Sequence, residues 1–185
     1  MTSRLSRKMT TKKSKAVVKS LRHDRDAWRD RDTSFVPTSH ILRHFRLTKA
    51  RLDELVFPAN DRQRMVYSDN HNWIRATYGH SVNIRVSEIG RQIRNQEGLT
   101  YFVHGIKARD TDSVLKYGLD HTRCPYIEFT DSPDYVRAGA ELVVHIDVRG
   151  FLRAGFRLYK IGPHVYATDC RVPPEFIKDI EYLVL

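Results

Sequence analysis

Residues 65–76 read Met65-Val66-Tyr67-Ser68-Asp69-Asn70-His71-Asn72-Trp73-Ile74-Arg75-Ala76, two apolar runs around a polar centre. Valine, tyrosine, tryptophan and isoleucine suit a pleated, half-buried surface, and Asp69-Asn70 suits a turn. Strands are therefore expected over 65–68 and 73–76, joined as a hairpin. Upstream the pattern is helical. Ser14 can cap a helix whose stripe is Val17, Val18 and Leu21 and whose last turn holds Arg22-His23. The charged stretch 24–33 reads as a loop. Thr38 and Ser39 can cap a short helix carrying Ile41, Leu42 and Phe45, and Thr48 another carrying Leu52, Leu55 and Val56 before Pro58 ends it. Three helices followed by a hairpin predict a winged-helix-like lobe.

Downstream of the hairpin the pattern changes. The polar segment 91–98 reads as a boundary, and strands are expected over 101–103, 126–129, 142–148, 156–161, 165–168 and 180–185. Asp110 or Asp112 can cap a helix with Val114 and Leu115 that Gly118 ends, and Pro133 can open another. The fold class expected is α+β: a basic flexible tail over 1–14, a winged-helix-like lobe over 15–96 and a β-rich lobe over 97–185.

Charge is unevenly spread. Of the net +10, all falls in residues 1–50, which hold 14 Lys/Arg against 4 Asp/Glu, while residues 51–185 hold 18 of each. A positive field at one end favours a polyanion, because neutralised phosphates release condensed counterions. A solvated tail, a nuclear-import signal in 4–19 or a mitochondrial presequence are the other readings of this end. No run of apolar residues is long enough to span a bilayer and the N-terminus lacks a secretory apolar stretch, so a soluble, intracellular protein is expected; a monomer is expected as well. Cys124 and Cys170 lack metal or disulfide spacing and read as free thiols. His40 and His44 share a helix face without a third ligand, so no metal is expected. Neither a Gly-x-x-x-x-Gly-Lys loop nor a Gly-x-Gly-x-x-Gly fingerprint is present. Tyr159 and Tyr166 suit either stacking on a ligand ring or an aromatic core.

Four short motifs then stand in order: Leu21-Arg22-His23, Ile74-Arg75-Ala76 leading to Gly79-His80-Ser81, His104-Gly105, and Val172-Pro173-Pro174. Together they resemble the tRNA 2'-phosphotransferase family, from about residue 15 to the C-terminus. The resemblance implies an RNA-binding winged-helix lobe and an ADP-ribosyltransferase-like lobe that takes NAD as co-substrate. It implies that RNA with an internal 2'-phosphate, tRNA in particular, attacks the nicotinamide ribose of NAD. The ribose 2''-hydroxyl then takes the phosphorus, leaving RNA with a 2'-hydroxyl, ADP-ribose 1'',2''-cyclic phosphate and nicotinamide.

By the same resemblance Arg22, His23, Arg75 and Arg123 are the catalytic set, the arginines clamping phosphate and His23 orienting the reacting group. Gly79, His80, Ser81, His104, Gly105 and Thr130 are expected to bind the cofactor. Arginine suits such a clamp, since its planar fork grips two phosphate oxygens and stays charged. The chain departs from the family pattern at Ile106, where threonine is usual, and at Arg123, one position early with Cys124 in the expected place. Tyr126 and Glu128 replace two histidines, and Pro163-His164 replaces Asn-Gly. Two other readings remain open: a transferase that stops at ADP-ribosylated nucleic acid, and an RNA-binding relative without catalysis.

Overall fold

The computed structural model describes residues 4–24, 28–58, 63–94, 98–99, 101–121 and 124–183, with side chains from 12 onward. Its helices and strands form an α+β chain in two compact units, Met1–Ile84 and Arg85–Leu185.

The first unit opens with α1 (Arg4–His23), which begins well before Ser14. Residues 4–13 contain neither proline nor glycine and include leucine, methionine, lysine and arginine, so backbone propensity lets the helix extend upstream of the expected cap. Val17, Val18 and Leu21 form its buried stripe. Helix α2 (Thr38–His44) has Pro37 at its cap, and the Thr38 hydroxyl donates instead to the His71 carbonyl at 2.9 Å, tying α2 to the hairpin. Helix α3 (Lys49–Val56) is capped as expected by Thr48, whose hydroxyl accepts from the Arg51 amide at 3.2 Å.

The hairpin pairs β2 (Met65–Tyr67) with β3 (Trp73–Ala76), Val66 opposite Arg75. A two-residue strand absent from the sequence reading, β1 (Val36–Pro37), flanks β3 with Val36 opposite Ile74, giving the order β1-β3-β2. Proline at its end confines β1 to an edge. Ile74 and Ala76 enter a core with Val17, Leu21, Ile41 and Leu52, so alternation puts Trp73 and Arg75 together on the other face.

The second unit is built on one antiparallel seven-stranded sheet whose strands run in the order β10 (Ile177–Tyr182), β7 (Leu142–Ile146), β5 (Val103–Ile106), β6 (Ile127–Thr130), β9 (Val165–Thr168), β8 (Tyr159–Lys160) and β4 (Arg91–Gln92). After α4 (Val86–Ile89), residues Arg91–Gln92 form β4 within the polar segment and pair with β8 (Tyr159–Lys160). Strand β5 is Val103–Ile106, later than expected, and β6 is Ile127–Thr130. Helix α5 (Thr111–Tyr117) follows a 3-10 turn, receives no side-chain cap from Asp110, and ends at Gly118 with φ +78°. Pro133 opens a 3-10 turn, where the Ser132 hydroxyl accepts from the Asp134 amide.

Strand β7 stops at Leu142–Ile146, because Asp147 accepts from the Gly150 amide at 3.1 Å and caps α6 (Val148–Arg153). Strand β9 is Val165–Thr168 and β10 is Ile177–Tyr182. Of the strand expected over 156–161 only Tyr159–Lys160 is regular strand, with Leu158 and Ile161 adding one backbone bond each to Ile93 and Val165. Phe102, Ile106, Val144, Phe151, Leu158 and Val172 lie in the buried core.

Candidate active site

Three separated segments converge in the first unit. The end of α1 supplies Arg22 and His23, β3 supplies Arg75, and the turn after β3 supplies Gly79, His80 and Ser81. Ser81 fastens the turn to the helix twice. Its amide donates to the Arg22 carbonyl at 3.1 Å, and its hydroxyl lies 2.9 Å from His23 Nδ1 across 58 positions of sequence.

The Arg22 guanidinium lies against the backbone of Gly79. That residue has φ +81°, and a Cβ there would stand 2.8 Å from both Arg22 Cζ and Nε. Glycine therefore provides two things at once: a left-handed turn and room for a cation. The guanidinium sits 4.9 Å from the centre of the Tyr78 ring, and Arg75 sits 5.2 Å from that of Phe35. Arg22 Nε is buried with no hydrogen-bond partner among the described residues. A buried cationic donor left in this way favours an incoming anion.

His80 is buried amid these cations. Burial first, then Arg75, Arg22, Arg29 and His23, push its imidazole down to about 3, so it is neutral at ordinary pH. His23 is also held below its usual range, by burial and then by Arg22 and Lys19. Four charged or chargeable groups thus bear on one imidazole, which identifies a concentrated positive field.

Arg29 lies outside every motif, yet it shapes this region. Its guanidinium donates to the Leu21 carbonyl at 3.0 Å, to the Ser34 hydroxyl at 2.7 Å and to the Asp24 carbonyl. It caps the C-terminus of α1 from a loop, satisfying carbonyls that the helix leaves open and fixing the turn that carries Arg22 and His23. A cation in a polar loop was visible in the sequence; its partners, being mostly backbone carbonyls, leave no residue pattern.

In the second unit His104 and Thr130 lie on strands that share a single register pair, Val103 opposite Thr130. Beyond that pair a side chain replaces the ladder, since His104 Nδ1 lies 2.7 Å from the Glu128 carbonyl. A carbonyl only accepts, so Nδ1 carries the proton. Burial, with a smaller push from Arg137, lowers the imidazole to about 4 against the pull of that bond. The ring is therefore neutral, and Nε2 is left as an acceptor.

The other two expected cofactor residues have local duties. A Cβ at Gly105 would stand 2.6 Å from Val136 and 2.7 Å from Ala140, so close packing of that loop already accounts for glycine. The Thr130 hydroxyl donates to the Ser132 carbonyl at 3.0 Å and accepts from the Ser132 amide at 3.3 Å. Beside it opens a cleft of about 340 Å³ lined by Tyr101, Phe102, Asp131, Ser132, His164 and Tyr166. Asp131 accepts from His164 Nδ1 at 2.9 Å and from the Tyr166 hydroxyl at 3.3 Å. His164 also stacks on Tyr135 at 4.3 Å.

Ile106 is buried in the core, and Tyr159 is buried on β8. Arg123 lies outside the described residues. His40 and His44 stack on each other, and among the described residues no group of three His, Cys, Asp or Glu gathers to hold a metal. Both cysteines are free thiols. No helix among the described residues is long and apolar enough to cross a membrane.

Comparison with known proteins bears on this arrangement. A "Probable RNA 2'-phosphotransferase" of Flavobacterium johnsoniae is 26% identical over 134 residues, covering 70% of each chain. Proteins of the same name are 27% identical over 138 residues in Trichormus variabilis, covering 72% of each, and 28% identical over 168 residues in Burkholderia lata, covering 87% of this chain and 81% of that one. The family profile described as "RNA 2'-phosphotransferase, Tpt1 / KptA family" matches residues 8–170, nearly the whole length and every segment of the converging cluster, and the chain belongs to that family.

Proposed function

We propose that this chain is an NAD-dependent RNA 2'-phosphotransferase acting on tRNA, or on other RNA that carries an internal 2'-phosphate. The observation that supports it most is the gathering of Arg22, His23, Arg75 and the turn of Gly79, His80 and Ser81 around a partnerless buried guanidinium nitrogen. Family membership supplies the reaction class.

In this reading the first unit is a winged-helix-like RNA lobe and the second an ADP-ribosyltransferase-like NAD lobe. Arg22 and Arg75 grip phosphate oxygens, and Arg123, one position ahead of the family's place for it, adds the third cation by resemblance alone. Gly79 and Tyr78 seat the Arg22 fork before substrate arrives, which saves reorganisation at the moment of reaction. His23, held by Ser81, orients the reacting oxygen. His80 stays neutral among the cations and adds no charge to them.

The donor set of the second unit fits a dinucleotide sugar. The His104 Nε2 lone pair suits a ribose hydroxyl, and the cleft of Phe102, Asp131, His164 and Tyr166 suits a heterocyclic ring. NAD would supply an anomeric carbon with nicotinamide as leaving group and an adjacent hydroxyl to receive phosphorus. Gly105 and Thr130 would act by shaping the strands rather than by direct contact.

The test is the fate of RNA with one internal 2'-phosphate, incubated with NAD and either wild type or Arg75→Ala. Wild type should yield RNA with a 2'-hydroxyl, and Arg75→Ala should slow the reaction on the order of a hundredfold. Accumulation of ADP-ribosylated RNA by wild type would favour the enzyme that stops after one step. RNA left unchanged at saturating NAD would sink the proposal.

A further inference from the structure

Both tryptophans of the chain lie in the first unit, and they touch. Trp28 and Trp73 have ring centroids 5.1 Å apart with planes inclined by 35°, and Trp28 is 65% exposed. An exposed tryptophan of this extent calls for an explanation, since burying it would be favourable. The loop that carries it is anchored. Arg29, its immediate neighbour, holds the Leu21 carbonyl and the Ser34 hydroxyl, and Asp30 closes the following turn by accepting from the Thr33 amide at 2.8 Å. The chain just after Trp28 is thus held in place.

Its position relative to the guanidinium cluster gives the ligand class. Trp73 and Arg75 are two residues apart on the same face of β3, so their Cα atoms lie about 7 Å apart, a span that one nucleotide covers between base and phosphate. The same unit carries the whole net charge of the chain: 18 Lys/Arg against 8 Asp/Glu in residues 1–84, and 14 of each in the rest. Aromatic faces beside a backbone-tracking positive field are what single-stranded nucleic acid binds.

We propose that Trp28 and Trp73 form a stacking platform for a base of single-stranded RNA next to the phosphate held by Arg22 and Arg75. This rests on the phosphotransferase reading for where the phosphate sits, but base stacking can be read without turnover. The platform selects unpaired RNA around the 2'-phosphate, because a base inside a duplex has no free face.

Because the chain has no tryptophan elsewhere, its tryptophan emission, excited selectively over the tyrosines, reports on this platform alone. A labelled single-stranded oligoribonucleotide with one internal 2'-phosphate is titrated against the full chain without NAD, following both label anisotropy and tryptophan emission. Emission should be quenched in step with binding. Trp28→Ala should weaken binding roughly five- to hundredfold, and Trp28→Phe should recover most of the loss. An oligonucleotide abasic beside the 2'-phosphate should bind wild type as weakly as Trp28→Ala binds the intact strand, and should lose nothing more on Trp28→Ala. Binding without quenching, unchanged affinity of Trp28→Ala, or additive losses would overturn the platform. Quenching and the Trp28 effect in a protein that never removes the 2'-phosphate would uphold the platform while the phosphotransferase reading failed.

Discussion

Gly79→Ala separates the seating of Arg22 from the stability of the fold. At φ +81° an alanine would be strained by roughly 1–2 kcal/mol relative to glycine. Its Cβ would also stand 2.8 Å from Arg22 Cζ and Nε, against about 3.4 Å for ordinary contact, so the guanidinium must retreat by about 0.6 Å or swing away. The neighbour that must move is the flexible end of a side chain, which limits the effect on stability to little more than the backbone strain. The effect on chemistry is larger, because misplacing a reacting group by about 1 Å can lower a rate on the order of a hundredfold.

The expected result is an unfolding free energy in urea lowered by no more than about 2 kcal/mol, together with a tenfold to hundredfold loss in the single-turnover rate on 2'-phosphorylated RNA. The double variant Gly79→Ala/Arg22→Ala should react no more slowly than Arg22→Ala alone, since the group being displaced is gone. A wild-type rate in Gly79→Ala would refute this account, as would a loss that adds fully to that of Arg22→Ala.

Other perturbations give equally specific outcomes. Arg29→Ala removes charged bonds to the Leu21 carbonyl and Ser34 and should cost roughly 2–3 kcal/mol in urea unfolding; Arg29→Lys should restore less than half, lacking the fork. His80 has a folded value of about 3, depressed from 6.5, so the unfolded chain binds its proton first on acidification. Its contribution is fully present above about 6.5 and is lost as pH falls towards 3. The pH dependence of stability between 4 and 6 should therefore flatten in His80→Gln by up to about 1.4 kcal/mol per pH unit. Ile106→Thr restores the residue usual in the family but places a hydroxyl in the core, so it should cost about 2 kcal/mol without tightening NAD binding measured by calorimetry.

The parts of the fold legible from sequence are those whose local signals agree. The Thr48 cap, the β2–β3 hairpin, the Gly118 helix end and strand β9 each combine periodicity with a turn or cap residue. The sequence misleads where one signal stands alone. The apolar run 142–148 looks like a single strand because Val148 continues it, whereas the Asp147 cap turns the chain into α6. Strand β1 is two residues long, too short for alternation, and exists because β3 offers it an edge.

At the candidate site, motif order marked Arg22, His23, Arg75 and the 79–81 turn, and these residues do converge. The reason for each glycine was less visible: Gly79 makes room for an arginine of the same unit, and Gly105 for Val136 and Ala140. Arg29 and Trp28 were missed, since tertiary contacts to carbonyls and to one aromatic ring carry no spacing rule.

The most direct measurement is nicotinamide release by the wild-type chain in the presence of NAD, compared between one RNA carrying a single internal 2'-phosphate and the same RNA with a 2'-hydroxyl there. The account predicts one nicotinamide per 2'-phosphate removed from the first RNA and none above background from the second. Equal release from both RNAs, or removal of the 2'-phosphate without nicotinamide, would contradict it.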